Sequence, residues 1–157
     1  MKLDQRDIAI LRVLAREGRI SKSDLAQRVN LSPTPTWERL RRLEEAGVIR
    51  GYHADIDMKM LVPGVEVFVT VELERHKAAD FAAFEKLAEG REEIAACWAL
   101  GGGFDYLMLV AVKDIDAYQR FMDGLLESGI GLARYYTYVV TKQVKSHVAR
   151  LPDPDPA

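Results

Sequence analysis

Three arginines, Arg39, Arg41 and Arg42, follow a run of hydroxyl residues, Ser32, Thr34 and Thr36. A guanidinium binds a phosphate or the edge of a guanine through paired N–H bonds, and short hydroxyls donate to phosphate oxygens. Set on one helix, these residues could dock on a polyanion. Candidates for other chemistry are sparse. His53, His76 and His147 are scattered with no ligand spacing, and Cys97 is the single cysteine, so no disulfide and no thiolate zinc site is expected. Cys97 lies in an apolar run and reads as buried and inert. No G-x-S-x-G element and no phosphate-cradling P-loop occurs. The expectation is a protein that is not an enzyme and needs no metal and no cofactor.

The arginines need a helix, and the local sequence supplies one. Ser32 is a good cap and Pro33 a good first helical residue, while Pro35 still falls in the first turn. The helix is expected to run to Gly47. Trp37, Leu40 and Leu43 would form its inner face, and Thr34, Glu38, Arg41, Arg42 and Glu45 its outer face, with Arg39 at the edge. Two shorter helices precede it. The first is capped by Asp4 with Asp7 in its first turn and Leu3 and Ile8 as a hydrophobic staple. Ile8, Leu11, Leu14 and Ala15 would face inward, and Gly18 would end the helix in a left-handed conformation. The second has Ser21 as cap, Asp24 as its reciprocal partner, an apolar side of Leu25, Ala26 and Val29, and Asn30 at the left-handed end. A short helix, a turn and a longer basic helix form a helix-turn-helix, whose last helix fits a major groove. The plainer alternative is a three-helix bundle with merely solvated arginines. Ile49–Ile56 then reads as a strand, either a wing or a connection.

The second half follows a different grammar. Val65–Glu74 alternates and is rich in β-branched residues, so a strand is expected. A helix follows over Ala78–Glu89, then strands over Ile94–Leu100 and Phe104–Val112 separated by Gly101-Gly102-Gly103. Asp114 caps a second helix, and Tyr135–Val144 reads as the last strand. The order β-α-β-β-α-β is the ferredoxin-like plan. Two helices cover one face of such a sheet. The other face is apolar here and calls for a partner, so a homodimer with sheets face to face is inferred. The fold class is therefore α+β. Residues 1–50 form a helix-turn-helix domain, 51–63 a linker strand or hinge, 64–146 a ferredoxin-like domain, and the acidic, proline-rich 147–157 a mostly disordered tail.

Charge divides along the same line. Residues 1–50 hold 11 lysines and arginines against 7 acids, and residues 51–157 hold 11 against 17. A basic front half on an acidic back half fits a nucleic-acid-facing module joined to something else. No run reaches the roughly 18–20 apolar residues needed to cross a bilayer. The start of the chain mixes acids among its apolar residues, unlike a signal peptide. A cytoplasmic setting and no membrane partner are expected.

Four stretches together, LDQRDIAILRVLAREGRIS, LAQRVNLSPTPTWERLRRLEEAGVIRGY, GFDYLMLV and TYVVTKQVK, resemble the Lrp/AsnC family of regulators from about residue 3 to 146. The resemblance implies a winged helix-turn-helix and a regulatory domain that dimerises. It also implies further assembly to tetramers or octamers, double-stranded DNA as one partner, and an effector, usually an amino acid, bound between dimers. The DNA-contacting set would be Ser32, Thr34, Thr36, Arg39, Arg41 and Arg42. The effector region would include Leu100, Gly101, Gly102, Gly103 and Asp105, with Tyr138 and Val139 from the last strand. Open glycine N–H groups suit an α-carboxylate and Asp105 an α-ammonium group, although a triple glycine can be only a turn and Asp105 only its brace. Trp98 would shape the pocket or pack in the core. Many relatives have Asp or Glu where this chain has Gly103. Two other readings stay open: an effector-independent, nucleoid-like architectural protein, and an enzyme on a ferredoxin-like dimer.

Overall fold

The computed structural model describes residues 2–54, 56 and 64–145, and the chain divides near residue 55 into two compact units. The first holds three helices: α1 (Gln5–Leu14), α2 (Lys22–Arg28) and α3 (Pro33–Glu45). Asp4 caps α1 by accepting from the Asp7 N–H at 2.8 Å, and the Asp7 carboxylate accepts from the Asp4 N–H at 3.0 Å. Ser21 caps α2, accepting from the Asp24 N–H at 3.1 Å. The Asp24 carboxylate takes the Ser21 hydroxyl rather than its backbone N–H. Asn30 has φ 51° and Gly47 φ 69°, so each closes its helix in the left-handed region.

The core of this unit is Ile10, Leu25, Leu40 and Leu43, ringed by half-buried Leu3, Leu11, Val13, Leu14, Ile20, Val29 and Ile49. Four expectations change. Ile10, not Ile8, is the buried centre of α1, because α1 packs on both neighbours and its buried stripe turns to meet them. Gly18 is not left-handed. The helix closes at Ala15 instead, with the Arg16 and Glu17 N–H groups both donating to the Val13 carbonyl. Trp37 lies outside, 40% exposed, with Lys22 Nζ 3.2 Å above its ring. Thr36 takes the inner position instead, its hydroxyl donating to the Ser32 carbonyl at 2.9 Å. Finally, the strand expected over Ile49–Ile56 does not form in its described residues. Such backbone becomes a strand only when a ladder partner takes its N–H and C=O groups. Asp55, the rest of the expected linker and the tail from residue 146 onward lie outside the described residues.

The second unit contains β1 (Val65–Leu73), α4 (Ala78–Glu89), β2 (Ile94–Ala99), β3 (Tyr106–Val112), α5 (Ile115–Glu127) and β4 (Leu132–Val139). The strands pair antiparallel in the order β2-β3-β1-β4. Both helices cover one face, where Val67, Val69, Val71 and Leu73 meet Phe84, Met108, Val110, Phe121, Met122 and Leu125. Asp114 caps α5 through the Ala117 N–H at 2.7 Å. β4 begins at Leu132 and stops at Val139, earlier at both ends than the alternation suggests, because β1 sets its length: Leu73 pairs with Leu132 and Val67 with Val139.

The other face carries Phe68 and Thr70 from β1, Leu107 and Leu109 from β3, Trp98 from β2, and Tyr136 and Tyr138 from β4. Trp98 is 46%, Tyr136 44% and Tyr138 54% exposed. This is a broad aromatic and aliphatic surface.

A nucleic-acid helix and a glycine turn

On α3, Thr36, Leu40 and Leu43 point inward, and Thr34, Glu38 and Arg41 lie on the exposed side. Ser32 stands at the helix start and is exposed, but its side chain makes no capping bond. Arg41 is 69% exposed and pairs along the helix with Glu45, Nε to Oε1 2.7 Å. Thr36 is buried and its hydroxyl is used on the helix backbone.

Arg39 and Arg42 have a different situation. Both turn toward α1 and converge on Asp7, whose carboxylate is fully buried. Arg39 Nη1 reaches Asp7 Oδ1 at 2.8 Å and Asp4 Oδ2 at 2.6 Å. Arg42 Nη2 lies 2.9 Å from Oδ1 and 2.7 Å from Oδ2 of Asp7. A buried carboxylate requires such partners, since an unpaired charge there costs several kcal/mol. The Asp7 N–H and then the Arg39 guanidinium hold Asp4 below the usual carboxylate range, and the bonds to Asp4 and Asp7 raise Arg39. The pairing spans 32 to 35 residues of sequence, so no local pattern announces it.

The glycine turn joins β2 to β3. A Cβ at Gly101, Gly102 or Gly103 would meet nothing within 4 Å, and none of the three has positive φ. Their backbone does not require glycine; the missing side chains leave space above the turn. Asp105 braces the turn. Its Oδ2 accepts from the Leu73 N–H at 2.8 Å and lies 3.1 Å from His76 Nε2. Its backbone N–H donates to the Val71 carbonyl, and its carbonyl accepts from Leu100. Asp105 thereby extends the β1–β3 ladder with a side chain where β1 shifts register against β4. His76 is the residue the sequence alone did not supply.

The expected effector residues are not gathered in one chain. Trp98 and Tyr138 share the open face, but β2 and β4 are its two edges, three strand spacings or about 14 Å apart. Val139 pairs with Val67, whose side chain points to the helix-covered side. Phe104 lies edge-on to Tyr136 at 5.5 Å between ring centres, beside the Glu72–Arg134 ion pair. On the helix side, a groove of about 370 Å³ is lined by Glu85, Glu89, Cys97 and Tyr106 among others. There the Tyr106 hydroxyl donates to Glu85 Oε1 at 3.0 Å. Burial and then Glu85 push the Tyr106 phenol up to about 12 and the Cys97 thiol upward. That groove contains none of the expected effector residues. Among the described residues, no group of three or more His, Cys, Asp or Glu could hold a metal ion, and no helix is long and apolar enough to cross a membrane.

A helix-turn-helix joined to a ferredoxin-like sheet that exposes a glycine turn defines a class: DNA-binding regulators with a small-molecule domain. Comparison with known proteins agrees. The model of the winged helix-turn-helix DNA-binding domain matches residues 3–50, and that of the Lrp/AsnC ligand binding domain matches residues 66–149. The chain is 51% identical over 145 residues to the transcriptional regulatory protein DoeX of Halomonas elongata, covering 92% of each. It is 41% identical over 143 residues to the Bkd operon transcriptional regulator of Pseudomonas aeruginosa, covering 91% of this chain and 94% of that protein. Among solved structures, a Neisseria meningitidis transcriptional regulator in complex with L-Met superposes with TM-score 0.87 at 34% identity, covering 96% of this chain and 97% of that one. The chain belongs to the Lrp/AsnC family. It is a DNA-binding transcriptional regulator with a ligand-binding domain, from a family of regulators rather than enzymes.

Proposed function

We propose that the protein works as a homodimer whose two α3 helices enter successive major grooves of a roughly palindromic site. The proposal further holds that an amino acid or related metabolite acts at the glycine turn to alter the assembly. The observation that carries the DNA part is the division of α3: Thr34, Glu38 and Arg41 exposed along one side, Thr36, Leu40 and Leu43 inside. Arg41 is the first choice for a base or phosphate contact. Arg42 comes next, with Ser32 and Thr34 at the helix start. Arg39 and Thr36 support the helix from within.

The apolar open face of the sheet supports the dimer, since contiguous exposed patches of this kind mark interfaces. The separation of Trp98 from Tyr138 supports an effector site completed by another copy, which favours assemblies of tetramer size or larger. The space above Gly101–Gly103, close to Leu100 and Asp105, suits the α-carboxylate of a small zwitterion. The Neisseria relative solved with L-Met makes an amino acid the first class to try. Such a ligand acts only by binding one assembly better than another. The setting is the cytoplasm, where the DNA is.

Fluorescence anisotropy with DNA from upstream of the protein's own gene, against random DNA, tests this at physiological salt. Selective binding that shifts with pooled amino acids is expected. Equal, strongly salt-dependent binding to both DNAs, indifferent to the pool, would instead establish an architectural role. Arg41→Ala should weaken specific binding by at least about 1 kcal/mol, and an unchanged titration removes Arg41 from the interface.

A further inference from the structure

We propose that Asp7, on α1 and not on the recognition helix, is a positioning residue for DNA recognition. Its buried carboxylate commits Arg39 to the interior and holds Arg42 so that the outer half of that guanidinium meets a backbone phosphate. The geometry divides the two arginines. Arg39 is 25% exposed and uses one nitrogen on two carboxylates, Asp4 and Asp7. Arg42 is 50% exposed and uses Nη2 alone on Asp7, whose own side chain is 0% exposed. A guanidinium has five N–H donors in a rigid fork, so one edge can be anchored while another faces out. Anchoring lowers the entropy that a long side chain loses when it binds a phosphate. Arg41 has no such anchor beyond its exposed neighbour Glu45.

The sign of one substitution separates this proposal from simple charge counting. Asp7→Asn removes a negative charge from beneath the DNA-facing helix and keeps both arginines. Counting charges alone predicts tighter binding. Positioning predicts weaker binding, by about 3- to 10-fold, because Arg42 is released. It also predicts that Asp7→Asn adds nothing on top of Arg42→Gln, since Asp7 acts through Arg42.

The experiment is an anisotropy titration of the full chain and its variants at several salt concentrations, with helicity and melting followed by circular dichroism. Arg42→Gln should reduce the slope of log affinity against log salt by about one unit, the signature of one lost phosphate contact. Arg39→Gln should lower the melting temperature but leave the slope unchanged and the affinity within about 2-fold, below the cost of a lost direct contact. Tighter binding by Asp7→Asn, additive losses in Asp7→Asn/Arg42→Gln, or a slope reduced by Arg39→Gln each overturn the proposal. Should Asp7→Asn not fold, the Arg39→Gln slope still decides. The proposal rests on α3 facing DNA. If that reading fails, Arg41→Ala and Arg42→Gln both leave the slope unchanged, whereas failure of the Asp7 role alone leaves the Arg42→Gln effect standing.

Discussion

Charged and phenolic side chains in this protein are set by a few direct partners, and titration should expose them one at a time. Burial and then a glutamate raise Tyr52, beside Glu44, and Tyr106, beside Glu85, to about 12. The sign follows from linkage: a folded value above the unfolded one means that the native state holds the proton longer. Each phenol therefore contributes stability that is complete below about 10, the ordinary tyrosine value, and is lost as pH rises through about 12. Burial raises Tyr118 as well, so absorbance at 295 nm should show three of the six tyrosines ionising late, and Tyr106→Phe should remove one of them. A single titration near 10 would mean that neither bond persists in solution. Asp4 has the opposite sign. Held low by the Asp7 N–H, it stabilises the folded state above the ordinary carboxylate range and loses that contribution as pH falls through its depressed value. Asp4→Asn should make the melting temperature less sensitive to acid.

The elements show what was legible in the sequence and what was not. Asp4, Ser21 and Asp114 announce three helix starts because capping is a contact over three residues, readable from the local string. The facing of each helix is set by distant neighbours, and there the local reading slips. Ile8 looked inward by spacing, but Ile10 is the side chain enclosed between α2 and α3. Trp37 looked like core because it is large and apolar, yet its ring lies under Lys22 at the surface. Asp7 and His76 were invisible as supports because their partners come from another element. The packing can be checked: Ile10→Ala should cost about 2–5 kcal/mol, the range for emptying a fully buried site, and Ile8→Ala less. Equal losses in chemical denaturation would restore the original face. The glycine turn between two strands was legible in the local string. What was missing was the distance across the sheet, because strand order is not written in any one strand.

For the whole molecule, the surface proposed to hold the dimer together is the sheet face that no helix covers. Leu109 lies near its centre, paired with Phe68 on β1. Leu109→Arg places a charge there without disturbing the helix-side core of Met108 and Val110. Sedimentation should then fall toward the 17.7 kDa of one chain. Affinity for a two-half-site DNA should fall with it, since each helix would then bind alone. An unchanged sedimentation profile would exclude this face as the dimer contact.

The three consecutive glycines have a consequence for descent. Gly101, Gly102 and Gly103 each leave open space where a side chain would begin, and none adopts a backbone reserved for glycine. Gly103→Asp should therefore change stability by no more than the half kcal/mol or so of an ordinary surface exchange, while placing a carboxylate over the turn. On the effector site proposed above, lineages can test new side chains at this spot with the scaffold untouched, so preference for a metabolite can drift faster than the fold that reports it. Sister regulators could then share nearly all their framework and answer to different nutrients.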